Sequence, residues 1–153
     1  MQTQNSSGNE QIKISDGVSL FCRKWLPPNQ SERVVIFFHG IEVHSGAFEF
    51  IGSELANEGS MVYGFDRRGM GNSKEPNLPR GDTQNFDRHL ADINEVVEAV
   101  RKNHPNKTLF IFGHSVGCAY ALWYGAHYPE NIDGIILASP PVKTVSRFHL
   151  ETL

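Results

Sequence analysis

At 153 residues, the chain has room for one domain with a buried core, or for part of a larger one. Its 39% hydrophobic and 20% charged residues are typical of a soluble globular protein, and its net charge of −3 provides no basic surface for nucleic acid. No apolar run reaches the length of a membrane span. The polar residues 1–10 lack the apolar core of a signal peptide and predict a disordered lead-in.

The two cysteines, Cys22 and Cys118, both fall in apolar segments. We expect them to be reduced and buried, which favours a cytoplasmic protein. No spacing in the sequence resembles a metal site, so we expect neither a metal nor another cofactor.

An antiparallel hairpin is the first element that the sequence predicts. Residues 11–15 and 18–25 have the composition of strands, and Asp16-Gly17 between them is the signal of a two-residue turn. Residues 33–38 are β-branched and aromatic without alternation, which predicts a strand covered on both faces.

Helices and strands alternate after this point. Apolar spacing predicts helices over 47–58, from 85 to about 103, and after Ser115 to about 127; short apolar runs predict strands over 61–65, 109–112 and 132–138. Residues 66–82, rich in Gly, Pro and Arg, predict a long loop, and residues 142–153 show no firm element.

This alternation predicts an α/β fold with a mostly parallel sheet flanked by helices, next to an N-terminal antiparallel hairpin. In such sheets, functional sites gather at the carboxyl ends of the strands. Segments 39–41, 66–69, 113–115 and 139–140 each follow a predicted strand. We therefore expect them at one edge of the sheet.

The most informative of these segments is Gly113-His114-Ser115-Val116-Gly117, between an apolar strand and an alanine-rich helix. This is the pattern of a nucleophile elbow, in which a cramped backbone exposes a serine hydroxyl above the sheet. The two glycines let the strand and the helix approach closely. The alternative is a glycine-rich turn with an idle serine.

With two further segments, the elbow resembles the α/β-hydrolase superfamily. His39-Gly40-x-x-x-His44-Ser45-Gly46 and Phe65-Asp66-x-Arg68-Gly69-x-Gly71-x-Ser73 are similar to its branch of monoacylglycerol lipases and lysophospholipases. Met70 stands where this branch usually has His, at a position expected to lie away from the reacting groups. The resemblance implies the α/β-hydrolase fold, with residues 11–140 as the N-terminal part of the core and residues 141–153 as the start of a cap region or tail.

The resemblance also implies roles for three residues. Ser115 would be the nucleophile, and the backbone N–H groups of Ile41 and Val116 would form the oxyanion hole. Each such donor typically stabilises the transition state by about 3 kcal/mol. No substrate-binding side chain is assigned.

For several residues near these motifs, the sequence fits a structural role as well as a functional one. His39-Gly40 also fits a plain strand-ending turn, and His44 and Ser45 fit a loop-shaping role. His114 is too close to Ser115 in the chain to act as its base. The segment 66–69 fits an ion-paired loop better than a substrate clamp.

A serine nucleophile needs a base, and in this fold an acid and then a histidine follow the serine on later strands. The candidates after Ser115 are Glu130, Asp133, Glu151, His127 and His149. None stands at the family's acid or base position, so we expect the C-terminal half of the fold to be missing. The chain would then be a fragment, one piece of a two-chain enzyme, or a natural short form.

The implied activity is hydrolysis of carboxylic esters of acyl chains, with monoacylglycerol or lysophospholipid as the substrate class; shorter esters, thioesters and peptides stay open. Serine at position 115 argues against relatives with an aspartate nucleophile. The expected partners are the acyl-ester or lipid substrate and either the missing C-terminal half or a second chain. Peripheral contact with a membrane is compatible with this function. The last strand would be an exposed edge suited to association. The alternative function is an inactive binding module on the same scaffold.

Overall fold

The structure is a computed structural model that describes residues 6–74, 79–81 and 85–141. Within these ranges the strands are β1 (Ser6–Lys13), β2 (Ser19–Leu26), β3 (Arg33–Phe38), β4 (Ser60–Phe65), β5 (Thr108–His114) and β6 (Gly134–Ala138). The α-helices described are α1 (Glu49–Asn57), α2 (Phe86–Asn103) and α3 (Val116–His127). These strands pair in one sheet, in the order β1-β2-β4-β3-β5-β6.

The predicted hairpin is present, and it is longer than expected. Ile14 N–H donates to the carbonyl oxygen of Val18 at 2.9 Å, and Gly17 takes the positive φ of 91° that the turn requires. Strand β1 begins at Ser6, which pairs with Leu26, so the expected disordered lead-in does not extend over residues 6–10. A strand at a solvated edge gains its stability from backbone pairing, and its polar composition therefore resembles that of a disordered tail. Residues 1–5 lie outside the described residues.

The strands after the hairpin run parallel to one another, as the alternation predicts. Strand β2 pairs antiparallel with β4, whereas β3 pairs parallel with both β4 and β5, and β5 pairs parallel with β6. Among the helices described, none combines the length and the apolar character that a membrane span requires.

Strand β3 is buried on both faces, as its unbroken apolar run predicts. Val34, Ile36 and Phe38 pack in the larger core, which includes apolar residues of α2 and α3. Val35 and Phe37 point to the other face, into a smaller core. Its remaining buried members are Trp25, Phe48, Ala56 and Val62. A helical layer therefore covers each face of the sheet, and β3 is fixed at its centre.

The helix boundaries differ from the expected ones in small ways. The helix expected over 47–58 is divided into a 3-10 turn at Ser45–Phe48 and helix α1. Helix α2 is capped by the side chain of Asn85, which accepts from Arg88 N–H at 3.2 Å. Strand β6 starts at Gly134 because a 3-10 turn occupies Pro129–Asn131 just before it. Residues 142–153 lie outside the described residues.

The parallel register brings the strand ends together at one edge. Phe38 at the end of β3 pairs with Gly113, and His114 at the end of β5 pairs with Ala138. The loops after β3, β5 and β6 therefore leave the sheet at the same edge, as expected.

Strand β6 is the outer strand of the described sheet on this side and carries exposed apolar side chains. Ile136 is 44% exposed and Leu137 is 39% exposed.

We predict that Ile136→Lys weakens self-association, because a charge on an open apolar strand opposes pairing with another chain. Sedimentation velocity over a concentration series measures this. Phe50→Lys, at an 81% exposed position on α1, is the matched control. Equal self-association of the two variants would contradict pairing through β6.

Candidate active site

Ser115 occupies a strained turn between β5 and α3. Its backbone has φ 53° and ψ −124°, a conformation that costs a residue with a side chain about 1–3 kcal/mol. Ser115 N–H donates to the carbonyl oxygen of Ala138 at 3.0 Å, and Cys118 N–H donates to that of Ser115 at 2.9 Å. This is the strand–turn–helix geometry that the elbow pattern predicts.

Two glycines allow this turn to be compact. A Cβ at Gly117 would collide with the carbonyl group of Phe38, whose carbon would lie only 2.7 Å away. A Cβ at Gly113 would lie 2.7 Å from Cys118 Cα. Because these neighbours are backbone atoms, no larger residue fits without moving the chain. The glycines thus let α3 begin directly against the ends of β3 and β5.

The loop after β3 runs beside the serine. A Cβ at Gly40 would lie 3.2 Å from Ser115 Cβ and 3.4 Å from His114 Nδ1. The next residue, Ile41, has a side chain that is 68% exposed, and within the described ranges no backbone carbonyl accepts a hydrogen bond from its N–H. Val116 is the first residue of α3, where helix N–H groups have no intrahelical acceptor. Val116 thus follows Ser115 directly in the chain, and Ile41 follows Gly40, the loop residue that lies beside the serine.

His39 is fully buried and shapes this loop. Its Nε2 accepts from Arg67 N–H at 3.0 Å, so the neutral ring carries its hydrogen on Nδ1, which donates to the carbonyl oxygen of Gly40 at 2.8 Å. Burial, and then the positive charge of Arg67, lowers the pKa of His39 to about 3. A ring that stays neutral and fully hydrogen-bonded cannot act as the base for Ser115.

The other loop residues have mainly structural contacts. His44 Nδ1 accepts from Gly46 N–H at 3.1 Å, and Ser45 N–H donates to the buried carboxylate of Asp66 at 2.7 Å. Met70 is 5% exposed, and a Cβ at Gly81 would lie 3.0 Å from its sulfur. These contacts agree with the loop-shaping roles expected from the sequence.

The loop after β4 is ion-paired through Arg68, as expected. Arg68 Nε donates to Asp92 of α2 at 2.7 Å, and its Nη2 donates to Asp16 of the hairpin turn at 2.7 Å. Arg67 behaves differently: its Nη2 donates to the carbonyl oxygen of Gly40 at 2.7 Å. Sequence reasoning missed this contact, because no local pattern tells one arginine of the pair from the other.

The expected acids and bases are not brought to Ser115. Asp133 accepts from Leu109 N–H at 2.7 Å, near the start of β5 and at the opposite edge of the sheet. Glu130 lies in the 3-10 turn before β6, and His127 ends α3, where its ring stacks on Trp123. His149 and Glu151 lie outside the described residues. In the described part of the chain, Ser115 Oγ has no hydrogen-bond partner.

The cysteines and the side chains able to ligate a metal can be located in the described part of the chain. Cys22 and Cys118 are free and buried, as expected. In the described ranges, no group of three or more His, Cys, Asp or Glu is placed to hold a metal ion.

A family model described as serine aminopeptidase, S33, matches residues 29–151. The chain belongs to this family. It is 32% identical to human monoglyceride lipase over 128 residues, which are 84% of this chain and 41% of that protein. It is 29% identical to a monoacylglycerol lipase of Mycolicibacterium smegmatis over 133 residues, which are 82% of this chain and 44% of that protein. The expected likeness to the monoacylglycerol lipase branch is confirmed.

Comparison with solved structures shows that this chain has the α/β-hydrolase fold. A carboxyl esterase from Bacillus coagulans superposes with a TM-score of 0.74 at 21% identity, over 86% of this chain and 44% of that one. A thioesterase domain from the curacin biosynthetic pathway superposes with a TM-score of 0.75 at 24% identity, over 92% of this chain and 48% of that one. The chain spans less than half the length of each of these relatives.

The close contact at the elbow predicts a large cost for one methyl group. We expect Gly117→Ala to lower the free energy of unfolding by about 3 kcal/mol, because the added Cβ forces the backbone of α3 away from Phe38. Urea titration measures this. Gly8→Ala is the control, since a Cβ there meets nothing within 4 Å, and it should change the free energy by under about 0.5 kcal/mol. Equal changes would refute the close contact.

The buried histidines predict a loss of stability in acid. Burial, and then the charge of Arg67, lowers the pKa of His89 to about 4, as it lowers that of His39. In the unfolded chain each pKa is about 6.5, so below that pH the unfolded chain binds more protons. The stability that each neutral ring contributes is complete above pH 6.5 and is lost as the pH falls towards the folded pKa. We expect a loss of about 2 kcal/mol per histidine between about pH 7.5 and pH 5.

Urea titrations at the two pH values measure this loss. His89→Gln should remove one histidine's share of the pH dependence. An identical pH dependence in the parent chain and in His89→Gln would count against a neutral His89.

Proposed function

We propose that this chain carries the nucleophile and the oxyanion hole of a serine hydrolase that cleaves carboxylic esters of acyl chains. The backbone of Ser115 is the observation that supports this most. It keeps a strained conformation at the carboxyl edge of the sheet, beside the loop of Gly40. Strain of this kind persists where the surrounding structure over-determines it, and it clusters at active sites.

In the proposed reaction, Ser115 Oγ attacks the ester carbonyl carbon and its proton passes to a base. The N–H groups of Ile41 and Val116 donate to the resulting oxyanion. As the tetrahedral intermediate collapses, the bond to the alcohol oxygen breaks, and the base returns the proton to that oxygen. Water then attacks the acyl-enzyme, which releases the carboxylic acid and restores Ser115.

The base and its orienting acid would come from outside the described residues. Ser115 Oγ has no hydrogen-bond partner within them, and the relatives extend well beyond the region that this chain matches. A later part of the polypeptide, or a second chain, would therefore supply the imidazole.

A monoacylglycerol or lysophospholipid is the proposed substrate class. Similarity to proteins named monoglyceride lipase supports it, as does the exposed apolar residue Ile41, which directly follows Gly40 in the loop beside the serine. An apolar surface at this place would favour an acyl chain. The two free, buried cysteines suit a cytoplasmic site of action.

One observation favours a second candidate function. Among the described residues no base contacts Ser115, and a chain in which none does so would keep the hydrolase scaffold and bind an acyl ligand without cleaving it. Covalent chemistry at Ser115 separates the two candidates.

Intact mass after exposure to a fluorophosphonate tests the proposal, with imidazole added as an external base. We expect one adduct per chain, formed faster with imidazole, and none on Ser115→Ala. Circular dichroism confirms that both chains are folded. A folded parent chain that stays unlabelled with imidazole would support the binding module instead. Labelling of Ser115→Ala at the parent's rate would show that another residue reacts.

A further inference from the structure

Arg67 is a buried cation whose contacts include no carboxylate among the described residues. Its guanidinium lies 5.0 Å from the ring centre of Tyr120 and donates to the hydroxyl of Tyr120 at 3.2 Å. It also contacts His89 Nε2 at 3.3 Å and donates to the carbonyl oxygen of Gly40 at 2.7 Å. Burying a cation without an anion is unfavourable, and it lowers the pKa of Arg67.

The neighbouring arginine shows how a purely structural cation is held in the same loop. Arg67 and Arg68 are both 7% exposed. Arg68 is paired with Asp92 and Asp16, and it links α2 to the hairpin. Ion pairing thus accounts for the burial of the Arg68 guanidinium, but it does not account for the burial of the Arg67 guanidinium.

The carbonyl group of Gly40 is held by two buried side chains, those of Arg67 and His39. Its oxygen accepts from Arg67 Nη2 at 2.7 Å and from His39 Nδ1 at 2.8 Å. The same histidine accepts from the backbone N–H of Arg67 at 3.0 Å. Gly40, His39 and Arg67 therefore form a closed ring of hydrogen bonds behind the loop.

The direction of this carbonyl fixes the direction of the next N–H. A peptide unit is planar, and the described chain contains no cis peptide bond. In a trans peptide, the C=O of Gly40 and the N–H of Ile41 point in opposite directions. Because the carbonyl oxygen is held towards buried Arg67 and His39, the N–H is turned away from them, on the exposed side of the loop. Reversing the peptide would leave two buried donors without an acceptor.

We infer that Arg67 is a positioning residue for the oxyanion hole: together with His39, it holds the Gly40–Ile41 peptide so that Ile41 N–H faces the oxyanion formed at Ser115. The inference rests on the proposed function of Ser115. The guanidinium charge behind the carbonyl also polarises the peptide and makes its N–H a better donor. A donor set in place before the reaction needs no reorganisation when charge develops.

The orientation of the peptide is tested without any chemistry. In the parent chain we expect a nuclear Overhauser effect between the Ile41 amide proton and the Ser115 Hβ protons. It should weaken in Arg67→Gln, which leaves the Gly40 carbonyl with one donor. Arg68→Gln is the matched control: it should lower the free energy of unfolding and leave the effect at parental intensity. Absence of the effect in the parent chain overturns the inference, whether or not any variant folds, and so does parental intensity in folded Arg67→Gln.

The rate of fluorophosphonate labelling with imidazole gives the second readout. We expect about a hundredfold loss of rate in Arg67→Gln, comparable to the loss of one oxyanion donor, and a parental rate in Arg68→Gln. An equal loss in both variants would mean that Arg67 acts only through the fold, and would overturn the inference. If the parent chain itself is unlabelled, the proposed nucleophile fails, and the peptide orientation is still decided by the nuclear Overhauser effect.

Discussion

The direct contact of helix α3 with the end of strand β3 is the constraint on which the rest of the site depends. Gly117 lies so close to the carbonyl group of Phe38 that no side chain fits between them. A helix that starts this close to the sheet forces the residue before it, Ser115, into its positive-φ conformation. The same contact brings Gly40, two residues after Phe38, against the serine. One close packing contact thus sets both the strain at Ser115 and the place of the loop after β3.

The two arginines after β4 connect this contact to the rest of the domain in different ways. Arg68 binds Asp92 of α2 and Asp16 of the hairpin, so the loop is held from two sides. That fixed loop carries Arg67, whose side chain reaches back to the carbonyl oxygen of Gly40. The hairpin and α2 therefore stabilise the loop as part of the fold, and neither contributes a reacting group. Adjacent residues of the same type and exposure serve different purposes because their partners differ.

Local signals predicted most of the fold. Two of these signals are patterns of a few neighbouring residues: the unbroken apolar run of β3 and the Gly-x-Ser-x-Gly turn. Both segments have the expected structure. The start of β1 at Ser6 was not predictable, because its polar residues gain stability only by pairing with β2. The contact between Arg67 and Gly40 spans 27 positions in the chain, and only the folded sheet brings the two together. The acid and base of the proposed mechanism could not be found for another reason: no described residue takes their place beside Ser115.

A crystal structure of the chain with a phosphonate bound to Ser115 is the most direct test of the arrangement of nucleophile and oxyanion hole. The phosphonyl oxygen mimics the oxyanion of the tetrahedral intermediate. The account predicts that this oxygen lies about 3 Å from the backbone nitrogens of both Ile41 and Val116. It also predicts that the Gly40 carbonyl oxygen keeps its hydrogen bonds to Arg67 and His39. A phosphonyl oxygen that points into solvent, or a Gly40 carbonyl turned towards Ser115, would contradict it.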